Sequence, residues 1–257
     1  MNLLYLFPFS YFHATRLRGG SIAFHALFEW LAAALLVTIL GALPPFQALG
    51  HALLVYIAFI SLYEIGYLAN DLFGAQRESD GRHRGPQGAG VGWISIWIVV
   101  RAVAFVGLTL VLGQQGSAAW WGFFLALATV FALHNLLDDR ELKVGTFLWL
   151  SWFRFMAPVI FVLDDKYRMG VAFAAAIAYA AFRQLGYLDS KGLLNMPGRQ
   201  RMRFRLVFFL MPLAGVLAVF PYPEARGFVL LCGYYAIVAS LGTLFEGFHK
   251  RQLAGRS

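Results

Sequence analysis

Long apolar runs alternate with short polar stretches along the whole chain. A run of about 20 apolar residues is long enough to cross a bilayer as a helix, and by this criterion the sequence predicts eight spans. They are Ile22–Leu43, His51–Ala69, Trp93–Leu112, Ala118–Leu137, Phe147–Leu163, Gly170–Tyr187, Leu206–Phe220 and Gly227–Leu244. Because the connections between them are short, we predict one all-α transmembrane domain over residues 1–257, a polytopic helical bundle.

The composition supports a membrane protein. Hydrophobic residues make up 60% of the 257 residues and charged residues only 13%, whereas a soluble domain carries about 25% charged residues. The mean hydropathy is +0.66. The single cysteine, Cys232, excludes a disulfide within the chain, so redox chemistry is not expected.

Lysine and arginine are distributed asymmetrically over the loops. Fifteen of the 21 lie in loops on one side of the predicted bundle, whereas the loops on the other side carry only Lys166, Arg168 and Arg226. Since positive loops stay cytoplasmic, we predict that both termini and the loops after the second, fourth and sixth spans face the cytoplasm, with the bundle in a bacterial inner (plasma) membrane. The net charge of +8 favours contact with acidic membrane lipids. No motif indicates a nucleic-acid partner or a particular oligomeric state.

Three polar segments accompany these spans. Residues 1–20 contain an aromatic stretch followed by His13, Arg16 and Arg18, which predicts an interfacial helix lying on the membrane. Residues 70–92 and 188–205 are predicted to be cytoplasmic polar loops. The candidate chemistry lies in these two loops and in the helix ends beside them.

Three carboxylates form a stripe at the end of the second predicted span. Glu64, Asp71 and Glu78 are seven residues apart, which is about two helical turns, so all three lie on one face. Acids at a membrane border are costly, and three on one face repel each other. A hard divalent cation such as Mg²⁺ is the expected compensation.

Further polar residues lie on the cytoplasmic half of the predicted bundle. Acids there bind Mg²⁺ that bridges phosphate oxygens, while bases neutralise the remaining charge and stabilise a leaving pyrophosphate. The candidates outside the stripe are Asn70, Asp80, Asn135, Arg140, Lys143, Arg154, Arg183, Tyr187, Asp189 and Lys191. Such a set predicts a site for a diphosphate-bearing donor.

The second span ends in a motif that resembles a known signature. Asn70-Asp71-x-x-Gly74-x-x-x-Glu78 is similar to the NDxxDxxxD motif of the UbiA superfamily of intramembrane prenyltransferases, which also follows a second helix. That family carries a second acidic motif after its sixth helix, where this chain has Asp189. The chain departs from the family at Gly74, where an aspartate is usual, and at Glu78, which replaces the last aspartate.

The resemblance implies a fold and a set of roles. The fold would be a ring of transmembrane helices around a central cavity that opens to lipid, with a polar cap in the cytoplasm. The implied Mg²⁺ ligands are Asn70, Asp71, Glu78 and Asp189, and the implied catalytic residues are Asp71, Glu64, Asp80 and Asp189. The implied substrate-binding residues are Asn70, Asn135, Arg140, Lys143, Arg154, Arg183, Tyr187 and Lys191. The expected reaction transfers an isoprenoid group from a prenyl diphosphate to an acceptor with release of pyrophosphate, and Glu64 or Asp80 would orient the acceptor or act as base.

Other interpretations stay open. A branch of the same family transfers phosphoribose from phosphoribosyl pyrophosphate to a polyprenyl phosphate in cell-envelope polysaccharide synthesis. A lipid transporter or a non-catalytic membrane scaffold is the alternative outside enzymes, and Gly74 favours the scaffold. Glu64 alternatively pairs with Arg101, and Asp189 with Lys191, in purely structural contacts.

Overall fold

Eight long helices account for most of the described residues, which in this computed structural model are 3–17, 22–74, 85, 86, 88–219 and 222–254. The helices are α1 (Ile22–Leu40), α2 (Pro45–Gly74), α3 (Val91–Val111), α4 (Ala118–Leu136), α5 (Arg140–Ile160), α6 (Asp165–Ser190), α7 (Met202–Val219) and α8 (Arg226–Ala254). These ranges contain no β-strand. The prediction of an all-α fold is confirmed.

Six of the helices in the described ranges are long and apolar enough to cross a membrane, namely α1, α2, α3, α4, α6 and α8. They support an integral membrane protein. The helices α5 and α7 occupy the positions of the fifth and seventh predicted spans, and their passage through a bilayer stays a prediction. The total of eight spans and the ring-shaped fold likewise stay predictions.

Polar caps set the starts of several helices. The Asp139 carboxylate accepts the backbone N–H of Glu141 at 2.7 Å at the start of α5, and Asp164 accepts that of Lys166 at 3.2 Å at the start of α6. Such caps satisfy backbone donors that a first helical turn leaves free. Both helices therefore begin several residues before the predicted spans, because the apolar criterion skipped their charged first turns.

The core lies where α1, α2, α5, α6 and α8 pack together. In α5 the side chains of Phe155, Met156 and Val159 are at most 1% exposed. In α6 the alanines face the neighbouring helices, and small residues at such positions let helix backbones approach closely. Ala174, Ala175 and Ala178 are fully buried.

Gly66 brings α4 close to the C-terminal end of α2. A Cβ atom at this position would lie 2.5 Å from the ring of Phe131, so only glycine fits. The amide Nδ2 of Asn135, one turn further along α4, donates to the backbone oxygen of Gly66 at 3.3 Å. The close approach therefore places an α4 polar residue beside the motif of α2.

The N-terminal segment, defined here as residues 3–17, packs against α1, α2 and α3. A short 3₁₀ turn, Leu3–Leu6, is followed by a bend at Phe9, whose φ of 78° is strained for a bulky residue. A helix then begins at Ser10 and ends in a π-helical turn at Leu17. Tyr11 and Phe12 are 1% and 0% exposed. The segment that the sequence predicts to lie on the membrane thus contributes two residues to the interior of the bundle.

Candidate functional site

Asp71 lies at the end of α2 and is held by the N-terminal segment. Its Oδ2 accepts a hydrogen bond from the Tyr11 hydroxyl at 2.7 Å, and its Oδ1 lies 2.7 Å from Nη2 of Arg16. The Asp71 side chain is 2% exposed and that of Arg16 is 12% exposed. The Arg16 guanidinium also lies 4.4 Å from the ring centre of Tyr67, one turn before Asp71.

The protonation of both partners suits this arrangement. Burial, followed by the charge of Asp71, raises the pKa of the Tyr11 hydroxyl well above its ordinary value, so Tyr11 keeps its proton and donates it. Burial alone would lower the pKa of Arg16, but the hydrogen bond to Asp71 and nearby negative groups raise it. Asp71 therefore faces a permanent cation and a permanent hydroxyl donor.

Glu64 lies two turns deeper in α2 and forms a fully buried ion pair with Arg101 of α3. Oε2 of Glu64 lies 2.6 Å from Nη2 of Arg101, and Oε1 accepts the backbone N–H of Phe12 at 2.7 Å. Arg101 also donates to the backbone oxygens of Tyr5 and Leu6, at 2.8 and 3.2 Å. The structural pairing that the sequence offered for Glu64 is present, while its role as an acceptor-orienting base stays a prediction.

This ion pair satisfies backbone groups deep inside the bundle. Glu64 lies ten residues before the last residue of α2, and Arg101 lies ten residues after the first residue of α3, which is roughly 15 Å along each helix. Irregular backbone at such depth needs internal hydrogen-bond partners, since lipid offers none. The Glu64–Arg101 pair supplies them to the bend of the N-terminal segment.

A second buried cluster joins α1, α5 and α6. Nε of Arg154 donates to Oε2 of Glu29 at 3.0 Å, and its Nη2 lies 2.9 Å from Nδ1 of His25. Nη1 of Arg154 donates to the Tyr67 hydroxyl at 3.3 Å, and the Tyr179 hydroxyl donates to Oε1 of Glu29. Sequence reasoning selected Arg154 but left out its partners. Their spacing of four residues, with an acid inside a predicted span, was the available signal.

These contacts form one continuous polar chain through the apolar bundle. It runs from Asp71 to Arg16, across Tyr67 to Arg154, and on to Glu29. Below, "the polar chain" means these five residues. It connects the C-terminal end of α2 with the interior between α1 and α5.

Asn70 and Asn135 meet beside Gly74. A Cβ atom at Gly74 would lie 2.9 Å from Oδ1 of Asn70 and 3.7 Å from Oδ1 of Asn135. Gly74, which departs from the resembled signature, therefore leaves room for the Asn70 side chain. The structure brings these two predicted substrate-binding amides together.

The remaining predicted residues lie near the start of α5 and the end of α6. Lys143 is 1% exposed, and the Tyr187 ring stacks on Phe147 with centres 4.2 Å apart. The Arg183 guanidinium lies 5.8 Å from the Phe24 ring centre. Arg140 is the exposed first residue of α5. These contacts do not place Lys143, Tyr187 or Arg183 against Asp71.

Asp189 forms a separate polar contact near the end of α6. Its Oδ2 lies 2.6 Å from Nε of Arg199, and its Oδ1 accepts the backbone N–H of Met196 at 3.2 Å. Lys191 follows immediately after α6 and is half-buried. Asp189 therefore holds the turn that follows α6.

The surroundings of Asp71 do not fit a bound Mg²⁺. Arg16 and Tyr11 already contact its two oxygens, and a divalent ion there would face the Arg16 charge. Within the described ranges no group of three histidine, cysteine, aspartate or glutamate side chains is arranged to hold a metal. Glu78 and Asp80 lie outside the described residues, so the predicted ligand set as a whole stays a prediction.

The fold and the polar chain together define a class, an α-helical protein with helices long and apolar enough to cross a membrane and with buried ionic groups. No family model matches the chain, and neither a curated protein nor a solved structure matches it.

Proposed function

We propose that the protein is a UbiA-type intramembrane transferase that moves an isoprenoid group from a prenyl diphosphate to an acceptor and releases pyrophosphate. The observation that carries the proposal is the polar chain, because buried ionisable residues in a membrane bundle are costly and mark functional sites. The resemblance of Asn70–Glu78 to the family signature adds the reaction class.

The reaction creates negative charge on the leaving pyrophosphate and positive charge on the allylic carbon. The bond between C1 and the diphosphate oxygen breaks, pyrophosphate keeps the electron pair, and the acceptor bonds to C1 and loses a proton. Arginine and lysine donors stabilise the charge on the leaving group. We assign this role to Arg16, Lys143, Arg154 and Arg183.

Tyr67 of the polar chain and two neighbouring aromatic rings suit the developing positive charge on the allylic carbon. Tyr63, Tyr67 and Phe131 meet edge to face, with centres 4.7 to 6.1 Å apart. The faces of such rings attract cations. In the proposal these rings border the isoprenoid end of the substrate.

Mg²⁺ stays a predicted cofactor of the transfer reaction, with Glu78 among its predicted ligands. Because the described surroundings of Asp71 do not fit it, no step is assigned to the ion. The proton acceptor is proposed to be Glu64 or Asp80.

Ligand-induced stabilisation tests the proposal. Detergent-purified protein is heated with geranylgeranyl diphosphate and, separately, with phosphoribosyl pyrophosphate, each with and without Mg²⁺. A ligand at 100 times its dissociation constant adds about 2.7 kcal/mol to the free energy of unfolding. We expect stabilisation by the prenyl diphosphate, weakened in Arg183→Gln. Stabilisation by phosphoribosyl pyrophosphate alone would favour the phosphoribosyltransferase alternative.

Arg183→Gln is a suitable variant because it should lower the free energy of unfolding only slightly. None of the ion pairs in the described part of the chain includes Arg183, so its replacement breaks no described ion pair. Arg168→Gln is the matched control, since Arg168 forms an exposed pair with Asp165 at 2.7 Å on the opposite side of the predicted bundle. Equal stabilisation of both variants would argue against the assigned role of Arg183.

A transporter of anionic lipids is the second candidate. It is favoured by the depth of the Glu64–Arg101 pair and of the Glu29 cluster, which lie well inside the bundle. Proteoliposomes that move a fluorescent anionic lipid between leaflets, without releasing pyrophosphate, would support this candidate over the transferase.

A further inference from the structure

Arg16 has more hydrogen-bonding capacity than its contacts use. A guanidinium has five N–H donors in a fixed plane. Nη2 of Arg16 binds Asp71, and one face of the group lies on the Tyr67 ring. Nη1 is buried and has no hydrogen-bond partner within the described part of the protein. A buried donor without a partner is rare and calls for an explanation, such as an absent ligand.

Two contacts hold this guanidinium in place, and a third fixes its partner Asp71. Asp71 binds one edge, Tyr67 covers one face, and the Tyr11 hydroxyl fixes the second oxygen of Asp71. The helix that carries Arg16 is itself anchored, because the backbone N–H of Phe12 is bound to buried Glu64. The free Nη1 donor is therefore presented in a defined direction from a rigid support.

We propose that Arg16 binds a phosphate oxygen of the ligand directly and without a divalent metal, and that Asp71 is a positioning residue for Arg16 rather than a metal ligand. Guanidinium groups match the geometry and charge of phosphate oxygens, and such charge-assisted hydrogen bonds are strong. The ligand class is a phosphate or diphosphate ester. The proposal rests on the proposed function only for this choice of ligand class.

The proposal resolves the conflict at the resembled motif. The family signature implies a metal at Asp71, whereas here a positive charge from the chain itself lies 2.7 Å from the same carboxylate. Arg16 supplies at this point the positive charge that Mg²⁺ would supply. Asp71 then offsets part of the Arg16 charge and orients the Arg16 guanidinium toward the ligand.

Binding of inorganic pyrophosphate in the presence of EDTA tests the proposal. Calorimetry of the full-length protein in detergent should give the same affinity with EDTA as with Mg²⁺, to within about threefold. Arg16→Gln should weaken binding by about tenfold or more, as expected for the loss of one charged hydrogen bond. Loss of wild-type binding in EDTA, or unchanged affinity in Arg16→Gln, would overturn the proposal.

Asp71 needs a separate readout because its loss also leaves Arg16 unpaired. Asp71→Asn should weaken pyrophosphate binding in EDTA, whereas Asp71→Glu, which keeps the carboxylate, should restore much of it. If Asp71 were a metal ligand, its replacement would instead change only the binding measured with Mg²⁺. That result would contradict the positioning role.

A double variant guards against misfolding. Arg16→Gln with Asp71→Asn leaves no unpaired buried charge, and replacing both partners is far less costly than replacing one. It should fold and still lose the affinity for pyrophosphate, while Arg168→Gln should keep it to within about twofold. Wild-type affinity in the folded double variant would refute the site.

The outcomes separate this site from the proposed reaction. Pyrophosphate binding through Arg16 without any turnover of a prenyl diphosphate would refute the transferase proposal and support the Arg16 phosphate site. Turnover that requires Mg²⁺ and persists in Arg16→Gln would support the transferase proposal and refute the Arg16 phosphate site.

Discussion

Replacing Arg101 by methionine should destabilise the protein more than any substitution at its surface. The change leaves Glu64 charged or protonated at 0% exposure, with the backbone oxygens of Tyr5 and Leu6 unbonded. Breaking a buried ion pair by removing one partner costs about 3–5 kcal/mol, and each lost backbone contact adds on the order of 1 kcal/mol. Because these costs overlap, we expect a loss of about 4 kcal/mol in the free energy of unfolding.

The single cysteine offers a direct assay for this loss. Cys232 is fully buried in α8, so a thiol-reactive dye reports unfolding as the sample is heated in detergent. For a chain of this size, 4 kcal/mol corresponds to a fall in Tm of roughly 10 °C. Cys232 becomes reactive only when the bundle opens, and no second thiol competes.

Two further variants decide whether the ion pair is the cause. Arg101→Met combined with Glu64→Gln removes the unpaired charge and should recover about half of the lost stability, since only the backbone contacts stay broken. Arg168→Ala, which breaks the exposed pair with Asp165, should change stability by less than about 1 kcal/mol. A Tm of Arg101→Met within 2 °C of the wild type would refute the reasoning.

Other consequences of the packing can be measured in the same assay. Gly66→Ala should lower Tm by several degrees, because its Cβ atom would lie 2.5 Å from Phe131, and Phe131→Leu should relieve part of this loss; equal Tm values for Gly66→Ala and wild type would contradict the contact. Asp139→Ala should cost about 1 kcal/mol through the lost cap of α5, whereas Asp139→Asn should cost less. The folded-state pKa of Tyr11 lies above its ordinary value of 10.0, so the unfolded chain loses this proton first as the pH rises. The free energy of unfolding should therefore fall above about pH 10. Tyr11→Phe should show a smaller fall over that range, and a pH profile identical to that of the wild type would argue against the buried Tyr11–Asp71 hydrogen bond.

The helices were the part of the fold that sequence reasoning predicted well. Apolar runs of about 20 residues mark positions of α1 to α4, α6 and α8, because length and hydropathy alone identify such helices. The starts of α5 and α6 were placed too late, since Asp139 and Asp164 begin each helix with a polar turn that hydropathy rejects. A search for apolar runs does not detect helix caps, because capping residues such as Asp139 and Asp164 are polar.

The environment of the predicted site residues depends on contacts distant in sequence. Arg16 and Asp71 are 55 residues apart, and neither periodicity nor spacing relates them. The N-terminal segment is short, aromatic and basic, which suits a membrane surface equally well, and only tertiary packing buries Tyr11 and Phe12. By contrast, the His25–Glu29 pair was readable as two polar residues one turn apart in an apolar helix.

Pyrophosphate release from geranylgeranyl diphosphate tests the central claim most directly. Purified protein in liposomes of native membrane lipid, with Mg²⁺, is incubated with the labelled diphosphate, and both pyrophosphate and prenylated lipid are quantified. The account predicts equal amounts of the two products, with release reduced at least about tenfold in Arg183→Gln and unchanged in Arg168→Gln. Absence of both products from folded, ligand-stabilised protein would contradict the transferase function.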